Sequence, residues 1–248
     1  MKILITTFGR PYNQVTLKSI PNATLVIQQR ETHQYSHYHQ QELIALPKEI
    51  EQLSDTRQWI LENFSGHVCL LDDDLTFATR RTDNPTLFYP SSKESISQML
   101  RVIDASLDKY AHVGIAAREG ANRNTEKHRF NTRVMRLLAY DMDVLRKLGV
   151  RFNRLTCMSD FDMTLQLLRA GYPNILLNRW CQNQYGSNAT GGCSAYRTPK
   201  VLAESAEGLK RLHPDFVTVV EKTTKGAWGG GTRKDVRIQW KKALAASD

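Results

Sequence analysis

The chain has 248 residues, 41% of them hydrophobic and 24% charged, enough for a buried core that needs no disulfide or metal staple. Its net charge of +9, from 34 Lys and Arg against 25 Asp and Glu, bears on partners rather than on fold. No apolar run approaches the roughly 20 residues of a membrane span, Met1 leads straight into KILITT rather than a signal sequence, and Cys69, Cys157, Cys181 and Cys193 form no CxxC pair. The expectation is a cytoplasmic protein with no membrane helix, no disulfide framework and no cysteine zinc site.

In chain order, KILITT (2–7) and TLVIQQ (24–29) predict strands bounded by Gly9-Arg10-Pro11 and Pro21-Asn22. SDTRQWILENFSG (54–66) predicts a helix with Ser54 near its cap and Gly66 past its end. HVCLL (67–71) predicts a third strand, and SKESISQMLRVIDASL (92–107) a helix with Ile96, Leu100, Ile103 and Leu107 at helical spacing. HVGIAA (112–117) and RVMRLLAYD (133–141) predict strands, and DMDVLRKLG (141–149) a short helix. SDFDMTLQLLRAG (159–171) predicts a helix capped by Ser159, with Phe161, Leu165 and Leu168 on one face and Gly171 as its stop. ILLN (175–178) closes the series as the expected last strand. Gly-rich loops are expected at GSNATGGCS (186–194) and KGAWGGGTRK (225–234). The alternation of strand and helix implies one α/β domain with a largely parallel sheet and ligands at the carboxyl ends of the strands.

Two segments concentrate the basic surplus. Residues 116–136 carry six Lys or Arg against two Glu, and residues 197–248 carry eleven against six acids. Such faces fit nucleic acid or anionic substrates, and they also fit an ordinary solvated surface.

The triplet Asp72-Asp73-Asp74 follows an apolar strand, so three like charges crowd at one tip and ask for a compensating partner. Alternation along an extended chain would put Asp72 and Asp74 on one face with Asp73 pointing away. That D-x-D arrangement supplies two hard oxygen ligands suited to Mn²⁺ or Mg²⁺, with a diphosphate completing the shell. A turn with helix-capping acids is the other reading. The second acidic pair, Asp160 and Asp162, lies in the first turn of a helix, where acids favour the positive end of the dipole and Ser159-x-x-Asp162 resembles a capping box. In sugar transfer the same two clusters have chemical roles. A metal ion stabilises the departing diphosphate, and a second carboxylate takes the proton of the attacking hydroxyl. One base and no evident carboxylate nucleophile point to direct displacement with inversion.

The succession of TTFGRP, TRQWIL (56–61), LLDDDL (70–75) and SDFDMTLQLLRAGY (159–172) resembles the GT-A-fold glycosyltransferases, a single Rossmann-like domain with a mostly parallel mixed sheet between helices. More narrowly it is similar to the TET-associated glycosyltransferases of phage genomes, which are thought to add sugars to 5-hydroxymethylpyrimidines, such as 5-hydroxymethylcytosine, in DNA. The GT-A-fold glycosyltransferases at large usually have Glu where this chain has Ser159. The likeness spans about residues 1–180, with LHPDFV and RKDVRIQWKKA also familiar. It implies a nucleotide-sugar half at 1–117 and an acceptor half at 118–248 with a basic C-terminal segment. It further implies that Thr6, Thr7, Arg10, Arg57, Asp72 and Asp73 bind the donor, a UDP-sugar. Asp72 and Asp74 would hold the metal, and Asp160 would be the catalytic base.

The basic stretch REGANRN (118–124) follows a strand on the ligand edge, so Arg118, Asn122 and Arg123, with Asp162, are candidate contacts for acceptor or phosphate; Arg129 and Arg133 extend that surface. Trp228 among the glycines of 225–234 could close over donor or stack on a base, or belong to a tether. His33, His37 and His39 read as a solvated loop, and His213 as a helix terminus or an extra metal ligand. The partners expected are a nucleotide sugar and DNA with hydroxymethylated bases. A glycan or small-molecule acceptor, a metal-dependent nuclease and a DNA-binding module are the alternatives.

Overall fold

A computed structural model describes residues 1–184, 191–224 and 231–247. Trp228 and most of the GSNATGGCS loop lie outside these residues. The strands are β1 (Lys2–Thr6), β2 (Thr24–Gln28), β3 (Leu43–Leu46), β4 (His67–Asp72), β5 (Leu75–Arg80), β6 (Phe88–Pro90), β7 (His112–Ala117), β8 (His128–Phe130), β9 (Leu137–Asp141), β10 (Asn174–Gln184), β11 (Val217–Thr224) and β12 (Gly231–Ile238). The helices are α1 (Val15–Ser19), α2 (Thr32–Tyr38), α3 (Leu53–Asn63), α4 (Lys93–Leu107), α5 (Met142–Leu148), α6 (Ser159–Arg169), α7 (Pro199–Leu212) and α8 (Trp240–Ala245).

The main sheet has the order β3-β2-β1-β4-β9-β7-β10-β5-β6, with β8 also paired to β10. β1 to β4 lie parallel to one another, β9 inserts antiparallel, and β7 and β10 return to the first direction. The α/β class and the predominance of one strand direction follow the sequence reading. One apolar cluster fills one face of the sheet, around Ile5, Leu71, Ile103 and Ile115, and a second fills the other, around Leu4, Leu70, Tyr140 and Met163. Alternate residues of β1 and β4 feed opposite clusters, as the two-residue period of a strand requires. These central strands are apolar on both faces and read as continuous hydrophobic runs.

Local chemistry fixes the helix ends. Ser92 caps α4 by accepting from the Ser95 amide, and Asp141 caps α5 by accepting from Asp143 and Val144. Gly149, at φ +66, ends α5 in the left-handed region that favours glycine.

Several expectations need correction. The 133–141 segment becomes a strand only from Leu137; Arg133, Met135 and Arg136 line a cleft, while Val134 packs into the core. β10 runs on to Gln184 because its polar residues Asn178 and Gln182 are buried and bonded rather than solvated. The 32–40 segment is the helix α2, anchored by the buried Tyr35, and not a loop. Residues 231–234 belong to β12, which pairs with β11 as a separate polar hairpin. No described helix is long and apolar enough to cross a membrane.

Candidate active site

β1 and β4 are register partners, with Thr6 beside Asp72, so the loop after β1 and the acidic turn after β4 emerge together at one sheet edge. The start of α1 clamps that turn. The Thr16 amide donates to the Asp73 carbonyl (2.9 Å), the Thr16 hydroxyl donates to the Asp72 carbonyl (2.6 Å), and the Leu75 amide donates to the Thr16 hydroxyl (2.8 Å).

The strand stops at Asp72, so the expected alternation fails. Asp73 and Asp74 instead share one guanidinium: Arg10 Nη1 lies 2.6 Å from Asp73 Oδ1 and 3.0 Å from Asp74 Oδ2. Thr7 donates to Asp73 Oδ2 (2.6 Å) while the Gln14 amide donates to Thr7. Gln184 donates to Asp74 Oδ2 (2.8 Å), whereas Asp74 Oδ1 is buried with no hydrogen-bond partner. Asp72 diverges toward Arg57, 3.8 Å away, and keeps 28% of its side chain exposed to the cleft. Burial pushes the Asp72 carboxyl up to about 6; Arg57 and Arg136 oppose the shift, and the charges of Asp74 and Asp73 add to it. Burial also raises Asp73, against the pull of Arg10 and Thr7.

The guanidinium of Arg57 reaches the same cleft. It is buried in α3, where Nη1 donates to the Ser159 hydroxyl (3.1 Å) and Nη2 faces Asp72, while Nε has no partner. One guanidinium therefore joins the acidic tip of β4 to the first turn of α6. Ser159 does not cap that helix. The N-cap is Met158, at φ +65 with no side-chain bond, and the expected capping box is absent because Asp162 is engaged elsewhere.

A cavity of about 390 Å³ runs across this edge, within the size range of small-ligand sites. Its walls are Thr6, Thr7 and Arg10 from the β1 loop, Arg57 from α3, Asp72–Asp74, and Asp160 with Phe161 at the start of α6. Arg133 and Arg136 line it too, with Lys222, Arg233, Lys234 and Asp235 of the β11–β12 hairpin. The segment after residue 190 straps over the β1 loop: the Gly192 amide donates to the Phe8 carbonyl (2.8 Å) and Arg10 Nη2 to the Gly191 carbonyl (3.3 Å). Gly191 sits at φ +89, and a Cβ there would lie 2.9 Å from Arg10 Cγ.

Thus Asp72, Asp73, Asp74, Asp160, Thr6, Thr7, Arg10 and Arg57 come together in one cleft. Other candidates do not join it. Asp162 is fully buried: Arg154 grips it through both nitrogens of its fork, Gln166 donates from 3.0 Å, and His213 Nε2 lies 2.8 Å away. That carboxylate has no open face for an acceptor. His213 is spent on the same network, as a helix terminus and not as a ligand of the acidic tip. Arg118 stacks over Phe88 at 4.8 Å, and neither it nor Asn122 or Arg123 lines the cavity. Gln184, Arg136, Lys222 and Asp235 were missed; Arg136, Lys222 and Asp235 stood in the two segments marked by basic charge, and Gln184 in neither.

Among the described residues, no group of three or more His, Cys, Asp or Glu side chains is arranged to hold a metal ion by itself. Asp72 and Asp74 supply two hard oxygen donors, and the partnerless Asp74 Oδ1 is an unused acceptor beside them. Both carboxylates line the cleft, and a divalent ion held by them would need its remaining ligands from a bound diphosphate.

The family model described as TET-Associated Glycosyltransferase matches residues 1–192. The Enterobacteria phage T2 protein named Beta-glucosyl-HMC-alpha-glucosyl-transferase is 20% identical over 182 residues, covering 70% of this chain and 65% of that protein. The chain thus spans just under two thirds of this curated relative. The mannosyltransferase PcManGT of Pyrobaculum calidifontis, solved with GDP-Man and Mn²⁺, superposes with a TM-score of 0.55 at 13% identity, covering 86% of this chain and 64% of that one. That likeness shows a shared fold.

Proposed function

The chain belongs to the TET-associated glycosyltransferase family, and from that premise we propose that its cleft moves a sugar from a nucleotide sugar, a UDP-sugar, to a hydroxyl on hydroxymethylpyrimidine bases in DNA. The observation that carries this reading is the meeting of two acidic groups from distant parts of the chain, the tip of β4 and the first turn of α6, on one cleft lined by Arg10, Arg57, Arg133 and Arg136.

In this reading Thr6, Thr7 and Arg10 cradle the nucleotide where the β1 loop is strapped by Gly191 and Gly192. Arg57 offers its unpartnered Nε to the diphosphate, a charge-assisted contact stronger than a neutral one. Asp72 and Asp74 hold a divalent ion, which supplies Lewis-acid stabilisation of the leaving diphosphate when bound; the Mn²⁺ in the structure of PcManGT is consistent with that choice. The Asp160 carboxylate lines the cleft from the first turn of α6, where it takes the proton of the acceptor hydroxyl. As that proton leaves, the hydroxyl oxygen attacks the anomeric carbon and the bond to the diphosphate breaks, with inversion of the sugar. The name of the phage T2 relative, Beta-glucosyl-HMC-alpha-glucosyl-transferase, supports a modified DNA base, bare or already glucosylated, as the acceptor.

Mass spectrometry of nucleosides tests this directly. The protein is incubated with plain, hydroxymethylated and glucosyl-hydroxymethylated DNA, a panel of nucleotide sugars, and Mn²⁺ or Mg²⁺. A hexose or pentose increment confined to the modified nucleoside is expected. Nucleotide release with no DNA adduct would move the acceptor to another class of molecule.

A further inference from the structure

A second groove opens between the edge strand β8 and helix α8, lined by His128, Arg129, Phe130, Trp240, Lys241 and Lys242. Its two walls come from segments more than a hundred residues apart, and both are basic, with Glu126 the opposing acid. All three β8 residues are exposed; Phe130 leaves 44% of its surface in water beside the rings of His128 (6.4 Å) and Tyr110 (6.0 Å). An exposed aromatic beside cations presents a stacking face together with positive charge, which suits a partner with flat apolar faces and negative charge. Asn131 lines the same groove at φ +50, and its Oδ1 is buried with no partner, an acceptor left open.

The groove lies next to the catalytic cleft, with one buried ring, Phe161, between them. Arg133, which lines the cleft, lies 4.2 Å over the ring of Phe161, and Trp240 of the groove meets that same ring at 5.9 Å, edge to face. Phe161 follows Asp160 directly. A polymer lying in the groove therefore arrives beside the carboxylate that faces the acceptor.

Resting on the acceptor assigned above, we propose that this groove carries the DNA strand flanking the target base. Phosphates lie against Arg129, Lys241 and Lys242, and an unpaired flanking base stacks on Phe130. Phosphates spaced along one strand match cations on opposite walls, and base–aromatic stacking tolerates any sequence. The Phe161–Trp240 seam then marks where the strand turns inward and delivers the modified base to Asp160.

The test uses the full chain and a dye-labelled hydroxymethylated oligonucleotide. In Lys241→Ala/Lys242→Ala the slope of log affinity against log salt should shrink by roughly 1.5, as loss of two phosphate contacts predicts. The KM for the oligonucleotide should rise about tenfold with kcat changed little. In Phe130→Ala affinity should fall roughly tenfold at every salt concentration, the signature of lost stacking. Polyglutamate should fail to compete for the groove, and competition matching that of unlabelled DNA would overturn the assignment in favour of an acidic polypeptide. Unchanged slope and KM in both variants, with wild-type protein still glycosylating the oligonucleotide, would sink the groove and leave the acceptor standing. Wild-type protein that neither binds nor modifies the oligonucleotide would sink the acceptor, and the groove with it.

Discussion

Asp162 in α6 and the Asp72–Asp74 group at the tip of β4 are both carboxylates set among arginines. Asp162 meets donors from Arg154, Gln166 and His213 and has no exposed surface. Arg169 Nη1 donates to His213 Nδ1 (3.2 Å), and His213 Nε2 sits between Asp162 Oδ1 (2.8 Å) and Arg154 Nη2 (3.2 Å), so the ring is held from both sides. Three carboxylates at β4 have Arg10 between two of them and Arg57 at arm's length from the third, with Asp74 Oδ1 and Arg57 Nε unpartnered. The first arrangement is complete within the chain, and the second is complete only with something added. A buried acid with every lone pair used stabilises a fold, whereas crowded acids with open valences hold a ligand.

The largest effect expected lies between the two groups, at Asp160. Asp160→Asn should cut kcat for transfer by 10²- to 10⁴-fold, the usual worth of a general base. Nucleotide-sugar affinity measured by calorimetry should change far less. Equal losses in both would mean that Asp160 binds donor.

Next in size is Asp162, two residues on. Asp162→Asn removes a fully buried carboxylate from the partly exposed Arg154 and the buried His213 and leaves a neutral amide there, which should destabilise the fold by about 2–3 kcal/mol. Urea unfolding followed by circular dichroism reads this loss. A change below 1 kcal/mol would erase the contrast between the two acid groups.

Neutralising the β4 tip should act with the opposite sign. Asp72 has a carboxyl raised to about 6, so its ionised form is disfavoured by the fold. An acid raised in the folded state contributes stability below its unfolded value near 4, and that contribution is lost as the pH rises through 6. Asp72→Asn should therefore stabilise the ligand-free protein by about 1–2 kcal/mol at pH 8, after allowance for its partial exposure, and by nothing at pH 3. The same variant should lose the Mn²⁺-dependent part of donor affinity. Destabilisation at pH 8 would show that Arg57 and Arg136 already balance the charge.

Much of this contrast was legible before the structure. The β4 strand and its acids announce themselves because an apolar run followed by three Asp has few other uses, and α6 shows a clean helical period ending at Gly171. What stayed hidden depends on distant partners. Asp160 and Asp162 look alike in sequence, and only the arrival of Arg154 and of His213 at the end of α7 separates their roles. Arg57 was placed at the donor only by the resemblance, and its partners Asp72 and Ser159 emerge once β4 and α6 close around it. β8 is too short and polar to show a strand pattern and β12 is mostly charged, whereas the β-branched run Val217–Val220 of β11 was a strand signal left unread. The polar end of β10 hides in the same way, with Gln184 known as a partner of Asp74 only once the chain is folded.

The smallest effect tests the link between the two acid groups. Ser159 stands where the GT-A-fold glycosyltransferases at large usually have Glu, and its hydroxyl accepts from Arg57 with no charge of its own. Arg57 therefore keeps its full charge for Asp72 and a bound diphosphate. Ser159→Ala removes a buried acceptor and should cost about 1 kcal/mol in stability. Ser159→Glu should pull Arg57 away from Asp72 and raise the KM for donor severalfold, with kcat falling less. The two variants separate the possible roles of the bond. If Ser159 only fills space, Ala and Glu will lower stability and leave the KM for donor alike. If Arg57 is shared between α6 and the β4 tip, only Glu will move KM, because only a second carboxylate competes for the guanidinium.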